Sequence, residues 1–354
     1  MNLDDLSSIK QLDPQNMLGE IDNLPAQLEK AWKLGQTQAL PEITGIRQII
    51  ISGMGGSAIG ADLLAAYIAP SCPIPVSVYR DYGLPAWAHG PETLFIASSH
   101  SGNTEETLEA FNAALNNKCQ LMAVATGGKL AELAMQAKIP LWKFEHKGQP
   151  RAAVGFSFGL LLAVFARLGT IHDPVKELAE TVATMKKQQE TLRPEVPAAY
   201  NPAKRLAGQL VGRWVNVYGA GCLAPVARRW KGQVNEIAKA GAGFENLPEA
   251  DHNALAGLLN PAGILSHTMT LFLRAPSDHP RNRLRTDLTR QEYMVEGLNT
   301  EIYEAQGETA LAHIWTTLHF GDYMAYYLAM AYGADPTPVE ALENFKATMR
   351  TARE

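Results

Sequence analysis

Hydroxyl side chains are concentrated in one short turn of this sequence. Residues 98–104 read Ser-Ser-His-Ser-Gly-Asn-Thr, which places four hydroxyls and a glycine directly before a predicted helix. The start of a helix offers free backbone N–H groups and the positive end of the helix dipole, and both favour an anion. Ser99, Ser101 and Thr104 are therefore candidate ligands of a terminal phosphate. The simpler alternative is that Ser101 or Thr104 only caps the helix.

A glycine-rich turn lies earlier in the chain and could complete the same site. Residues 53–57, Gly-Met-Gly-Gly-Ser, follow a run that is typical of a buried strand. Parallel strands end at the same edge of a sheet, so the two turns could be adjacent there. Gly55, Gly56 and Ser57 would then add backbone N–H groups and a hydroxyl to the phosphate site.

The same glycines also permit a dinucleotide-binding interpretation. Gly53, Gly55 and Ala58 satisfy the pattern GxGxxG/A, and the pattern recurs at residues 219–224. A dinucleotide site also needs an acidic residue about 20 positions further on. Asp81 lies 28 positions past Gly53 and is a poor match. We therefore favour a phosphate monoester over a dinucleotide.

Further motifs, together with these turns, resemble one known family. They are Pro150-Arg-Ala-Ala153, Lys231-Gly-Gln-Val-Asn-Glu-Ile-Ala-Lys239, Asp251-His-Asn253, Gly321-Asp-Tyr-x-Ala-Tyr-Tyr-Leu-Ala329 and Asp335-Pro-Thr-Pro-Val-Glu340. In this combination and order the chain resembles the bifunctional phosphoglucose/phosphomannose isomerases of archaea and bacteria, which are built from sugar isomerase (SIS) domains. The resemblance covers about residues 45–350.

The resemblance implies an aldose–ketose isomerase that uses neither a cofactor nor a metal. Such an enzyme interconverts glucose 6-phosphate and mannose 6-phosphate with fructose 6-phosphate through a cis-enediol. Glu236 would be the base that moves a proton between C2 and C1; the alternative is a surface carboxylate paired with Lys239. His252 would open the ring of the sugar that is bound in the active site of the neighbouring subunit. The resemblance therefore also implies a homodimer with a shared active site.

Three more residues take their roles from the same resemblance. Lys346 would assist proton transfer at the ring oxygen, although lysines near a C-terminus are usually solvated. Arg151 would place a fixed cation beside the enediolate, or else form an ordinary surface pair. Thr337 could leave room near C2 for a water and so permit both epimers. The family more often has Tyr at the position of His100 and Glu at that of Ala254.

Strand and helix patterns alternate along the chain and predict a parallel α/β fold. Strands are expected at 47–52, 74–79, 93–97, 120–126, 214–218, 269–274 and 300–305, with helices at 58–69, 104–116, 129–137, 152–168, 223–240, 284–297, 311–332 and 339–349. The repeated opening, a strand followed by Gly-x-Gly and a helix, predicts two similar domains. By resemblance, each is an SIS-type domain with a mostly parallel sheet flanked by helices, a flavodoxin-like three-layer sandwich.

The expected boundaries follow from these patterns. We expect a helical lead-in at 1–44, a first SIS domain at 45–170, a linker or helix at 171–200, a second SIS domain at 201–333, and a helical tail at 334–354 that closes the site.

Composition limits the partners of the chain. It has 354 residues, of which 46% are hydrophobic, and a formal net charge of −5, so broad capture of nucleic acid or an anionic membrane is not expected. The longest apolar run, 152–166, is shorter than the roughly 20 residues that a membrane span needs. The N-terminus has no apolar signal segment, and three widely spaced cysteines fit a reducing compartment. We expect a soluble cytoplasmic protein.

Two other functions remain open from the sequence. An amino-sugar phosphate isomerase or deaminase could use the same phosphate turns, and a non-catalytic sugar-phosphate sensor could bind without reaction. Sensors of that kind normally carry a basic DNA-binding segment, and none is visible in this sequence.

Overall fold

A computed structural model describes residues 2–40 and 42–352 of the chain. Three helices come first: α1 (Leu6–Leu12), α2 (Met17–Asp22) and α3 (Leu24–Thr37). In α3, Leu24, Leu28, Ala31 and Trp32 are all buried, as their helical spacing predicts. All three helices lie within residues 1–44, where a helical lead-in was expected, and α1 and α2 are too short to be predicted from periodicity.

The first sheet has five parallel strands in the order β2-β1-β3-β4-β5. The strands are β1 (Gln48–Ser52), β2 (Val76–Tyr79), β3 (Thr93–Ser99), β4 (Gln120–Ala125) and β5 (Leu141–Lys143). The helices are α4 (Gly55–Ile68), α5 (Glu105–Asn116), α6 (Gly128–Gln136) and α7 (Val154–Arg167). Ile49 and Ile51 pack in one cluster with Leu63 of α4, whereas Ile50 packs with Phe111 of α5. Successive strand residues therefore contact helices on opposite faces, which gives three layers.

The second sheet has four parallel strands in the matching order β7-β6-β8-β9. The strands are β6 (Trp214–Ala220), β7 (Ala242–Leu247), β8 (Thr268–Arg274) and β9 (Asn299–Glu304). The helices are α8 (Val175–Gln189), α9 (Pro202–Leu210), α10 (Ala224–Glu236), α11 (Ala262–Leu265), α12 (Pro280–Val295), α13 (Ala310–Tyr332) and α14 (Glu340–Thr351). The two sheets confirm the predicted α/β class and the internal repeat.

Five elements beyond the lead-in differ from the sequence prediction. The strands β5 and β7 and the helices α9 and α11 were not predicted, and the helix expected at 223–240 ends at Glu236. The chain leaves the helical path there because Lys239 has a left-handed backbone with φ of 55°. The Asn235 side chain donates to the carbonyl of Ala240 and holds this end. The early end places Glu236 at a helix terminus.

Two apolar helices, α7 and α13, form the centre of the molecule. Pro150–Arg167 is long and apolar enough to span a membrane, but 83% of it is buried inside this fold. The Phe158 ring of α7 meets the Trp315 ring of α13 edge-on at 5.1 Å between centroids. Tyr323 and Tyr326 of α13 donate to Asp22 and Asp13, so the lead-in is fixed to this core.

Candidate active site

The two turns that the sequence singles out lie side by side. Strands β1 and β3 are parallel neighbours, so the segments that follow them meet at the same edge of the sheet. The backbone N–H of His100 donates to Ser57 Oγ at 3.1 Å and joins the two turns. Gly55 has φ of 50°, a left-handed conformation that glycine adopts at no steric cost. The turn therefore presents Ser57 and the start of α4 to the second turn.

The hydroxyls of the second turn are connected to each other. Ser99 Oγ donates to Thr104 Oγ1 at 3.1 Å and accepts from the backbone N–H of Gly102 at 3.1 Å. Thr104 is the N-cap of α5, yet its side chain makes no capping hydrogen bond. Ser101 is exposed, and its Oγ accepts from the N–H of Asn103. The capping alternative therefore does not explain the hydroxyl of Thr104.

Gly56 connects this edge to a buried arginine. A Cβ atom added at Gly56 would lie 2.3 Å from the carbonyl oxygen of Pro150, so only glycine allows this approach. Pro150 begins a 3₁₀ turn, Pro150–Ala153, that leads into α7 and carries Arg151. The side chain of Arg151 is 5% exposed. Its Nη2 donates to the carbonyls of Pro336 and Thr337.

Glu236 faces Arg151. Its Oε2 lies 3.6 Å from Arg151 Nη1, and its side chain is 34% exposed. Lys239 does not pair with the carboxylate, because its Nζ donates to the main-chain carbonyl of Glu236 at 2.6 Å. The alternative of a Glu236–Lys239 surface ion pair is therefore not what the structure shows.

Two further charged residues, Lys239 and Asp335, lie close to Arg151 and Glu236, and the sequence analysis assigned no catalytic role to either. Burial lowers the pKa of Lys239 to about 8, and the positive charge of Arg151 adds to this effect. Burial also lowers the pKa of Arg151, while Glu236 and Asp335 oppose that change. Asp335 accepts from the backbone N–H of Thr337 at 2.9 Å. Both residues stand in recognised motifs, but Lys239 was considered only as a surface partner of Glu236, and Asp335 was given no role.

Two buried polar atoms at this place lack hydrogen-bond partners among the described residues. They are Arg151 Nε and Thr337 Oγ1. Buried polar groups are normally satisfied, and unsatisfied ones occur at functional sites. Both atoms belong to residues that the sequence selected.

His252 and Lys346 are not brought to this cluster within one chain. His252 ends a 3₁₀ turn, Glu249–His252, and is exposed. Its neighbour Asp251 is fixed to α12 by Arg285 at 2.8 Å and Thr289 at 2.7 Å. Lys346 lies in α14, where residues 341–349 are all exposed. That α14 closes the site remains a prediction.

The corresponding turn of the second sheet has a different chemistry. Gly221 repeats the φ of 50° of Gly55, but a Cβ atom added there would lie 3.6 Å from Asp278 Oδ1. Asp278 is buried, and burial raises its pKa to about 6. A carboxylate beside this turn disfavours a phosphate, so the two Gly-x-Gly turns are not equivalent.

Within residues 2–40 and 42–352, the side chains include no group of three or more His, Cys, Asp and Glu that could hold a metal ion. The sites that the fold does assemble are the hydroxyl turns and the Arg151–Glu236 pair. They occur together in a chain with two parallel sheets of matching strand order.

This fold defines a two-domain protein of the SIS class. Residues 199–349 match the family model described as the bacterial phospho-glucose isomerase C-terminal SIS domain. The fold is also that of the tagatose-6-phosphate ketose/aldose isomerase of Escherichia coli, with a TM-score of 0.72, 16% identity, and coverage of 91% of this chain and 95% of that one.

Sequence relatives narrow the class to one family. The bifunctional phosphoglucose/phosphomannose isomerase of Caldicellulosiruptor bescii is 39% identical over 334 residues, which cover 93% of this chain and 98% of that protein. The enzyme of the same name from Aquifex aeolicus is 31% identical over 310 residues, which cover 87% and 92%. The chain belongs to the bifunctional phosphoglucose/phosphomannose isomerase family, and it is an isomerase.

Proposed function

We propose that this protein interconverts glucose 6-phosphate and mannose 6-phosphate with fructose 6-phosphate. The observation that carries the proposal is the contact of Gly56 with Pro150, which places the hydroxyl turns next to the Arg151–Glu236 pair. One end of this arrangement supplies hydroxyls and helix N–H groups for a phosphate. The other end supplies a carboxylate and a cation for proton transfer.

The proposed reaction moves one proton between neighbouring carbons. In the open-chain aldose, Glu236 takes the proton from C2, and the electron pair of that bond forms the C1–C2 double bond of a cis-enediolate. The C1 oxygen gains the negative charge and then takes the proton of the C2 hydroxyl group. Glu236 returns its proton to C1 while the C2 oxygen forms a carbonyl, which gives the ketose. Arg151 would stabilise the negative charge, since a fixed cation in a poorly solvated site favours a developing anion.

Ring opening requires groups beyond this cluster. We propose that His252 performs it from a second copy of the chain and that Lys346 assists at the ring oxygen. The exposure of both side chains supports this assignment. Thr337, with its unpartnered hydroxyl, is our proposed residue for tolerance of both epimers.

A homodimer would explain an exposed apolar face on α14. Leu342, Phe345 and Met349 are 45%, 63% and 45% exposed, and their spacing places them on one side of the helix. A helix face of this kind is stable when it is covered. We propose that a second copy covers it, that residues 45–170 and 201–333 are the two SIS domains, and that the protein works in the cytoplasm.

The proposal is tested by replacing the base without changing its shape. Glu236→Gln keeps the volume and removes the carboxylate, so turnover should fall by about 10²- to 10⁴-fold, as is usual when a general base is lost. The measurement is a coupled assay with glucose, mannose and fructose 6-phosphates, with and without a chelator. Retained turnover in this variant would remove Glu236 from the mechanism.

Two controls accompany that assay. Glu245→Gln changes another glutamate, on β7, and should leave the rates unchanged. Glucosamine 6-phosphate serves as the amino-sugar substrate. Turnover of that compound in place of the hexose phosphates would favour the amino-sugar alternative, and binding without any turnover would favour a sensor.

A further inference from the structure

A chain of three polar side chains runs away from the hydroxyl turn. His100 lies between Ser99 and Ser101, and its Nε2 is 2.9 Å from Nδ1 of His146. His146 follows β5, and its Nε2 lies 3.1 Å from Oε2 of Glu20 in α2. The chain therefore joins the lead-in to the centre of the candidate phosphate site. None of the roles proposed above uses it.

The chain is enclosed by aromatic rings. The His100 and His146 rings meet edge-on with centroids 5.1 Å apart, and the His146 side chain is 7% exposed. Phe144 packs against His100, and Phe156 of α7 packs against His146. Glu20 and His146 are the titratable groups that face His100 in the described parts of the chain. Beyond them, Lys30 of α3 lies 5.8 Å from the centre of the Phe156 ring.

The two nitrogen atoms 2.9 Å apart can share only one hydrogen. With Glu20 ionised, His146 Nε2 carries a hydrogen and donates to it. When both histidines are neutral, His100 Nε2 donates to His146 Nδ1, and His100 Nδ1 carries a lone pair and no hydrogen. If one proton is added, His146 donates in both directions, and the hydrogen of His100 moves to Nδ1. A proton near Glu20 thus changes His100 Nδ1 from an acceptor to a donor.

Electrostatics determine which histidine holds the added proton. Burial lowers the pKa of His100 to about 4, and the proximity of His146 adds to this effect. Burial therefore disfavours a positive charge on the His100 ring. His100 Nδ1 makes no hydrogen bond with any described residue, so it is available to a ligand.

We propose that Glu20, His146 and His100 form a proton-carrying positioning chain for the phosphate of the substrate. A phosphate dianion in the hydroxyl turn draws one proton from solvent into the chain, and His100 Nδ1 becomes a donor to the phosphate. The proposal deepens the proposed function, because it rests on the phosphate site of that function. Ser99, Ser101 and Thr104 are neutral, so the chain would supply the turn with a further hydrogen-bond donor and a positive charge behind it.

The experiment counts the protons taken up on binding. Calorimetric titration with sorbitol 6-phosphate, which has no carbonyl to isomerise, is carried out at pH 7.5 in buffers of different ionisation enthalpy. Its phosphate is already dianionic there, since the second pKa of a phosphate monoester is about 6. The wild type should take up protons on binding, up to one per site, and Kd should rise from pH 7 to pH 8, by at most about tenfold for one proton.

Variants of the chain identify where the proton goes. His100→Asn keeps a polar side chain but cannot titrate, so proton uptake should vanish and Kd at pH 7 should rise several-fold. Glu20→Gln, at a half-buried position, should also lower the proton uptake. This second variant keeps the test valid if His100→Asn does not fold. His89→Asn changes an exposed histidine of the same domain and should retain the wild-type uptake. Equal uptake in wild type and His100→Asn, or none in wild type, would overturn the proposal.

This result is separable from the test of the isomerase reaction. If sorbitol 6-phosphate binds with proton uptake but no hexose phosphate is isomerised, the chain is supported and the proposed function fails. If isomerisation occurs without proton uptake, only the chain fails. If sorbitol 6-phosphate does not bind, the phosphate site fails and the proposed role of the chain fails with it.

Discussion

The guanidinium of Arg151 contacts both the segment at 335–337 and Glu236, our proposed base. Nη2 holds the carbonyls of Pro336 and Thr337, whereas Nη1 faces the carboxylate of Glu236. A planar group with several fixed donors can do both, which an ammonium group on a flexible stem does much less well. Arg151 therefore keeps the segment at 335–337 beside Glu236, our proposed base, and at the same time places a cation next to that carboxylate.

The pKa of the Lys239 amine should report on the burial and the charges of this cluster. Its lowered pKa, about 8, makes it an unprotonated nucleophile at a pH where an ordinary lysine, at 10.5, is still charged. Competitive acetylation followed by mass spectrometry should give an apparent pKa near 8 for Lys239. Between pH 8 and 10.5 the unfolded chain holds this proton and the folded chain does not, so this group makes the free energy of unfolding rise with pH.

Arg151→Met provides the control for that measurement. Removal of the guanidinium removes the like charge that adds to the effect of burial, so the pKa of Lys239 should rise. An apparent pKa near 10.5 in the wild type would contradict the assignment.

The residues of this cluster differ in how well sequence predicts them. Glu236 and Arg151 stand in motifs with distinctive neighbours, so a resemblance identifies them. Lys239 and Asp335 could not be assigned a role, because three separate segments, 150–153, 236–239 and 335–337, must meet before their charges have an effect. His146 and Glu20 are similar cases: 126 residues separate them, and only the fold brings them within 3.1 Å.

At the scale of elements, α4 begins where the backbone of Gly56 packs closely against the carbonyl of Pro150. Gly56→Ala would force a Cβ atom against the carbonyl of Pro150, so α4 and the 3₁₀ turn must move apart. We expect a loss of about 1–3 kcal/mol in the free energy of unfolding, as for other overpacked positions. Phosphate affinity should fall as well, which denaturation and titration with sorbitol 6-phosphate can measure.

Gly208→Ala is the matched substitution for this comparison. Gly208 lies within α9, and a Cβ atom there would contact nothing within 4 Å. Alanine has the higher helix propensity, so this variant should gain up to about 1 kcal/mol. Equal effects of the two substitutions would show that the contact with Pro150 does not matter.

Long elements were easier to predict than short ones for a physical reason. The helices α7 and α13 and the strand β3 bury almost every residue, and such continuous apolar runs are visible in the sequence. The strand β5 has three residues, too few for any periodicity. The strand β7 contains Gly243, Glu245 and Asn246, whose types disfavour a strand, and its pairing with β6 overrides them.

At the scale of the whole molecule, uncovered apolar surface lies on more than one element. Besides α14, a groove of 580 Å³ beside Asp251 is lined by Leu259, Leu284 and Leu288. These leucines are 65%, 43% and 51% exposed. Both surfaces lie next to residues that we assign to ring opening, so association and activity should depend on each other.

Substitution on α14 tests that dependence. Leu342→Ser combined with Phe345→Ser should shift the protein from dimer to monomer in sedimentation velocity experiments, because it removes apolar area from the proposed interface. Isomerase activity should fall with the dimer, and wild-type activity should fall on dilution below the dissociation constant. Met135→Ser, at an equally exposed position on α6, should change neither. A fully active wild-type monomer would contradict the shared site.

The unequal turns at Gly55 and Gly221 bear on how such a protein could diverge after duplication of an ancestral domain. A duplicated pair begins with two identical ligand sites, and a carboxylate such as Asp278 beside one of them disfavours binding there. That half is then free to acquire other residues, and here it carries Glu236, our proposed base, at the end of α10, while the first half carries the hydroxyls proposed to bind phosphate. If the two halves have these separate roles, substitutions in one half can change the reaction while phosphate binding is kept. Substitutions in the other half can change the phosphate site while the proposed base is kept.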